Sequence, residues 1–168
     1  MRVVEGLHIY GNEMRTPRPD DNHRWDNGEW VFDEELAAST RERLKLRLYE
    51  RIDRACNAAL EALSGGSLRM AEYDIAAIEA MTFKAAGYPA ASIPPSVCSW
   101  MIEGRDAEQA ANEIIDKAGQ FKKDVYALRE IRLKSKAEVR ALVSDGDERE
   151  ANAYVAQTIS QISQMPWR

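Results

Sequence analysis

The chain has 168 residues, 45% of them hydrophobic and 30% charged, with a formal net charge of -5 at pH 7. That length and apolar share suit one domain with a sizeable core and exclude a disordered chain, while the acidic balance counts against nucleic acid as the main partner, because phosphate binding needs a basic face. No apolar run approaches the ~20 residues of a membrane span. Arg2, Glu5 and His8 interrupt any leader-like stretch at the start, and Cys56 and Cys98 lack the spacing of a metal site or a disulfide framework, so a soluble cytoplasmic protein with free thiols is expected.

Residues 1–33 differ in character from the rest. Leu7 and Ile9 alternate with His8 and Tyr10, Gly11-Asn12 offers a turn, and Pro17, Pro19, Asp20, Asp21 and Asn22 read as a loop. In the run from Trp25 through Phe32, aromatic residues flank Asn27-Gly28, the pair best suited to the positive backbone dihedrals of a type I' turn. This predicts one small hairpin or a pair of them, too small to stand alone and therefore packed on a helix or on another chain.

A long helix follows, with Asp33 as N-cap, Glu34 and Glu35 in the first turn and Gly65-Gly66 as its stop. Leu44, Leu48, Ile52, Ala55, Ala59 and Ala62 recur at spacings of four and three and define one seam. A second helix over 68–86 carries Ile75, Ile78, Met81 and Phe83 and stops at Gly87. Pro94-Pro95 then opens a short helix closed at Gly104, and Asp106 caps another long one. In that helix Ala107, Ala111, Ile114, Ala118, Phe121, Val125 and Leu128 keep a heptad seam, with Ile114, Phe121, Val125 and Leu128 expected to be buried. The seam meets Arg132 and Ser135 before resuming at Val139 and Leu142, and the off-seam Ile131 and Leu133 predict a change of buried face there. After a break at 144–147, a last helix over about 147–163 carries Ala151, Val155, Ile159 and Ile162, and Met165 to Arg168 form a tail. The expected fold is mainly α: long coiled-coil-like helices over 34–168 forming an elongated helical hairpin or bundle, with a small N-terminal β-hairpin element over 1–33.

The residues of a catalytic centre are not in evidence. His8 and His23 have no positioned partner, and the pairs Glu34-Glu35 and Asp20-Asp21 occupy caps and loops that use acids anyway. Gly65-Gly66 lacks the phosphate-cradling pattern, and Cys56, among Ala55, Ala58 and Ala59, reads as a packing residue. No catalytic residue, metal ligand or cofactor is expected. Two basic stretches, Arg41 to Arg54 and Lys122 to Arg140, are interleaved with acids at helical spacing, as on a solvated helix face.

The aromatic residues stand out. An indole removes a large apolar area from water while keeping a donor, which favours it in binding hot spots. Trp100, in a short apolar helix, reads as core, whereas for Trp25, Trp30 and Trp167 core and interface both stay open. With Tyr10 in the β element and Met165 beside Trp167 in the tail, the partner-binding candidates are Trp25, Trp30, Tyr10, Met165 and Trp167.

The hairpin signal at 25–31, the stretch Phe83-Lys84-Ala85-Ala86-Gly87-Tyr88, the run Ile93-Pro94-Pro95-Ser96-Val97 followed by Trp100, and the helix from Ala110-Ala111 to Ile115 running into Arg129, Arg132, Leu133 and Lys134 together resemble the tail fibre assembly chaperones of phages and of R-type, pyocin-like tail bacteriocins. The resemblance covers most of the chain and rests on loose patterns. It implies a non-enzymatic helper in the bacterial cytoplasm that binds the distal end of a trimeric tail fibre and assists its folding and trimerisation, with retention on the particle left open. It transfers no individual functional residue. Two other readings compete: a coiled-coil structural adaptor that self-associates through its heptads, and a helical nucleic-acid-binding protein that uses the basic stretches.

Overall fold

The computed structural model describes residues 8–10 and 13–165; the expectations for Leu7, Gly11-Asn12 and Trp167 fall outside them. The order is β1 (His8–Tyr10), β2 (Glu13–Arg15), β3 (His23–Asp26), β4 (Glu29–Phe32), α1 (Glu34–Ser64), α2 (Ser67–Ala85), α3 (Pro95–Trp100), α4 (Ala107–Ser144) and α5 (Glu148–Gln164). β1 pairs with β2 and β3 with β4, both antiparallel, giving two separate hairpins ahead of a helical body. No described helix is long and apolar enough to cross a membrane.

Helix ends follow the local chemistry. Asp33 accepts from the N–H groups of Glu35 and Leu36 at 3.0 and 3.1 Å, and Gly65 closes α1 in the left-handed region (φ 63°). Asp106 and Gln109 form a reciprocal capping box on α4. α2 ends in a Schellman motif: Tyr88 N–H donates to Phe83 O and Gly87 N–H to Lys84 O, and the two rings meet edge to face at 5.5 Å. The same pattern at Gly146 (φ 81°) lets Asp147 follow α4 directly and cap α5 through Glu150 N–H, so the chain reverses within three residues.

α4 is the spine and serves two cores. Its C-terminal half packs with α1 and α5 around Leu44, Leu48, Ile52, Cys56, Leu128, Val139, Val143, Ala151, Val155 and Ile162. Its N-terminal half packs with α2 and α3 around Ala80, Phe83, Val97, Ala110, Ala111 and Ile114. On α1 the buried line runs 44, 48, 52, 56; Ala55 and Ala59 are partly buried and Ala62 is exposed. A helix wedged between two neighbours buries a wider arc than a two-helix seam, and the line drifts accordingly.

Three expectations for the helices are modified. Ile114 and Leu128 are buried, but Phe121 and Val125, in the stretch of α4 between the two cores, are only half-buried. The seam does not change face at Arg132: Ser135 is itself buried, Ile131 packs against the core and Leu133 is exposed. Arg132 reaches Asn57 Oδ1 at 2.6 Å and approaches Asp53, which also receives Lys136 at 2.6 Å, so charge at this point is met by the facing helix rather than buried alone. On α2 only Phe83 of the four stripe residues is buried; Ile75, Ile78 and Met81 point to the opposite side and are exposed.

Asp33 is also the joint between hairpin and helix. Its N–H donates to Asn22 O at 2.7 Å and its carboxylate meets Arg24 Nε at 3.2 Å. Replacing Asp33 by Ala is expected to cost about 1 kcal/mol, the usual value of an N-cap, and to lower the melting temperature by about 2–4 °C. Asp33→Asn, which keeps the cap, is expected to recover most of that loss in a thermal melt.

Candidate partner-binding site

The β3–β4 hairpin places its side chains by simple alternation. Asn27 (φ 46°) and Gly28 (φ 95°) supply the tight turn, and the register pairs Trp25 with Trp30 and His23 with Phe32 across the strands. Cross-strand partners and residues two apart share a face, so His23, Trp25, Trp30 and Phe32 form one aromatic surface. The indoles meet edge to face at 5.2 Å and 72°, and His23 meets Phe32 at 5.6 Å and 80°. Such pairs add about 0.5–1.5 kcal/mol beyond area burial. Arg24, Asp26, Glu29 and Val31 occupy the other face.

The segment before the hairpin folds back over this surface. The Arg15 guanidinium stands 5.1 Å from the Trp25 ring centre and Arg18 stands 5.8 Å from Trp30, both in cation–π range. Trp30 Nε1 donates to Thr16 O at 2.8 Å. Arg18 fixes the loop by donating to the carbonyls of His23 and Asp21. At its tip Asp20 accepts from His23 Nδ1 at 2.7 Å and from Asn22 N–H; the His23 bond first, then the Asn22 bond, holds its carboxyl below the ordinary range. The indoles are thus half-buried by their own loop, while Phe32 is 51% exposed.

Among the described residues neither hairpin packs along a helix. Of the two supports expected for so small a β element, the helical one is not used. In the first hairpin Ile9 and Met14 are cross-strand partners and are 77% and 67% exposed. The N-terminal element therefore carries apolar and aromatic side chains into solvent.

The sequence candidates separate. Trp25 and Trp30 come together. Tyr10 ends β1, with its side chain outside the described residues, as Trp167 is altogether. Met165 is half-buried at the end of α5. α5 runs alongside α1 in the same sense, Asn152 in its second turn meeting Arg51, so Met165 lies toward the Gly65 end of α1 and the hairpin at the Asp33 end. A 31-residue helix puts those ends on the order of 45 Å apart. Arg15 and Arg18 join the site only through the fold of the loop, and His23, read in the sequence as having no positioned partner, joins it as a β3 residue; the aromatic residues flanking Asn27-Gly28 were the signal visible in the sequence.

Other polar groups are engaged locally. Trp100 packs on the second core, and its indole N–H donates to Glu113 Oε2 at 3.2 Å; that bond first, then Arg105 and Lys117, holds the Glu113 carboxyl below its ordinary range. In the basic stretches Arg41 pairs with Glu34, Lys45 with Glu42, Lys134 with Glu130, and Lys136 with Asp53. No protein-family model, characterised protein or solved structure matches the chain.

Proposed function

We propose that this protein is a binding helper of the tail fibre assembly chaperone kind, which holds a fibre subunit through its N-terminal aromatic element until the subunit trimerises. The observation that carries this reading is the β3–β4 hairpin: four rings on one face of a ribbon that lies against no helix among the described residues, with Phe32 largely in water. An isolated ribbon of this kind is marginal and gains most by adding to another sheet or covering an apolar surface. A fibre subunit before trimerisation presents the complementary need, since its unassembled strands expose apolar side chains and open edges that aggregate.

The ion pairs within the basic stretches weigh against the nucleic-acid reading, because cations already matched by acids of the same bundle release few counterions from a phosphate backbone. The test is co-expression with a phage-type tail fibre protein. Soluble fibre trimer is expected to rise with this protein present, and the two are expected to co-purify before trimerisation. Equal trimer yield with and without it, and no co-purification, would contradict the proposal.

A further inference from the structure

Residues 15–18 lie across the aromatic face of the β3–β4 hairpin, in the place a partner would take. The Arg15 guanidinium covers Trp25 at 5.1 Å and that of Arg18 covers Trp30 at 5.8 Å, while Thr16 O accepts the Trp30 indole N–H at 2.8 Å. Both indoles are half-buried, whereas Phe32 on the same face is 51% exposed. The surface read as the grip is therefore partly occupied by its own chain.

The cover is held by side-chain contacts. Pro17 and Pro19 bring no N–H, and among the described residues no backbone-to-backbone hydrogen bond ties 16–18 to β3 or β4, so the segment is not a third strand of the sheet. Its far end is held by Arg18, which donates from Nε to His23 O at 2.9 Å and from Nη2 to Asp21 O at 2.8 Å. Two cation–π contacts near the surface shift an equilibrium by roughly tenfold. A partner that buries a single hot-spot indole gains at least roughly thirtyfold, which is enough to displace them. Whatever does so must cover both indoles and supply an acceptor for Trp30 Nε1. Pro17 and Pro19 act on the released state: their side chains stand in solvent, and their rings limit the conformations open to the segment once it leaves, which favours closure.

We propose that residues 15–18 are a displaceable strap, closed over Trp25 and Trp30 in the free protein and exchanged for the partner on binding. This rests on the hairpin being the gripping surface. Because the closed form binds nothing, apparent affinity is reduced by the fraction of open molecules, so loosening the strap tightens binding, the opposite sign to the loss of an indole. The double variant Arg15→Ala/Arg18→Ala is expected to raise acrylamide quenching of tryptophan emission and binding of the neutral dye Nile red, above the constant background of Trp100 and Trp167. It is expected to bind an isolated phage-type tail fibre subunit roughly tenfold more tightly. Pro17→Gly/Pro19→Gly, which removes none of these contacts, is expected to tighten binding roughly threefold. That second variant decides the matter if the first loses the exciton circular dichroism couplet of the Trp25–Trp30 pair. Unchanged quenching and dye binding in an arginine variant that keeps the couplet, or a wild-type affinity for the fibre that rises in neither variant, would overturn the proposal. Quenching and dye binding that rise while no form, wild type included, binds the fibre would remove the fibre as partner and leave the strap standing.

Discussion

Ile52→Ala is expected to destabilise the protein by about 2–5 kcal/mol, the usual cost of emptying a fully buried aliphatic position. Ile52 is 0% exposed at the centre of the α1, α4 and α5 core, with Leu48 and Cys56 one turn to either side and Val139 and Val155 among the cluster. For a chain of this size the melting temperature is expected to fall by about 5–15 °C. Leu46→Ala makes the control: Leu46 lies on the same helix but is 50% exposed, and its replacement is expected to stay within about 0.5 kcal/mol. Equal effects at the two positions in a denaturant titration would mean that α1 does not bury this face.

Phe83→Ala is expected to cost about 3–5 kcal/mol. Phe83 is 2% exposed, belongs to the second core and is the ring on which Tyr88 closes the end of α2. Because both cores are built on the single helix α4, the wild type and both variants are expected to unfold in one transition, and the double variant to lose close to the sum of the single losses, since the sites share no contacts. A first transition moved by Phe83→Ala and a second moved by Ile52→Ala in calorimetry would show that α4 does not couple its two halves.

The helical body was legible because its signals are local. Asp33, Asp106 and Gly65 cap as their chemistry dictates, and the run 151, 155, 159, 162 predicts the buried side of α5, with Thr158 joining it and Ile159 half-buried. What periodicity does not carry is the number of neighbours around a helix. A 4-3 repeat reads alike for one partner or two, which is why the α1 line passes through Cys56 and not Ala55, and why Phe121 and Val125, regular in sequence, fall in a gap between two cores. Ile75, Ile78 and Met81 show the same limit more sharply, since an apolar stripe does not state whether any neighbour covers it. In the hairpin, the aromatic residues flanking Asn27-Gly28 were enough to mark the turn, while His23, read without a positioned partner, was not placed across from Phe32. The guanidinium groups of Arg15 and Arg18 could not be placed, because their position depends on a loop tied through Asp20, Asp21 and His23.

The aromatic face as the gripping surface is tested most directly by the affinity of the isolated fibre subunit for wild type, Trp25→Ala and Trp30→Ala, each first shown to melt as the wild type does. Both indoles stand outside the two helical cores, so their removal is expected to leave the main transition in place. The loss of one hot-spot indole is expected to weaken binding by at least 2 kcal/mol, roughly thirtyfold in Kd. Folded variants that bind the fibre as tightly as wild type would contradict the assignment of binding to this hairpin.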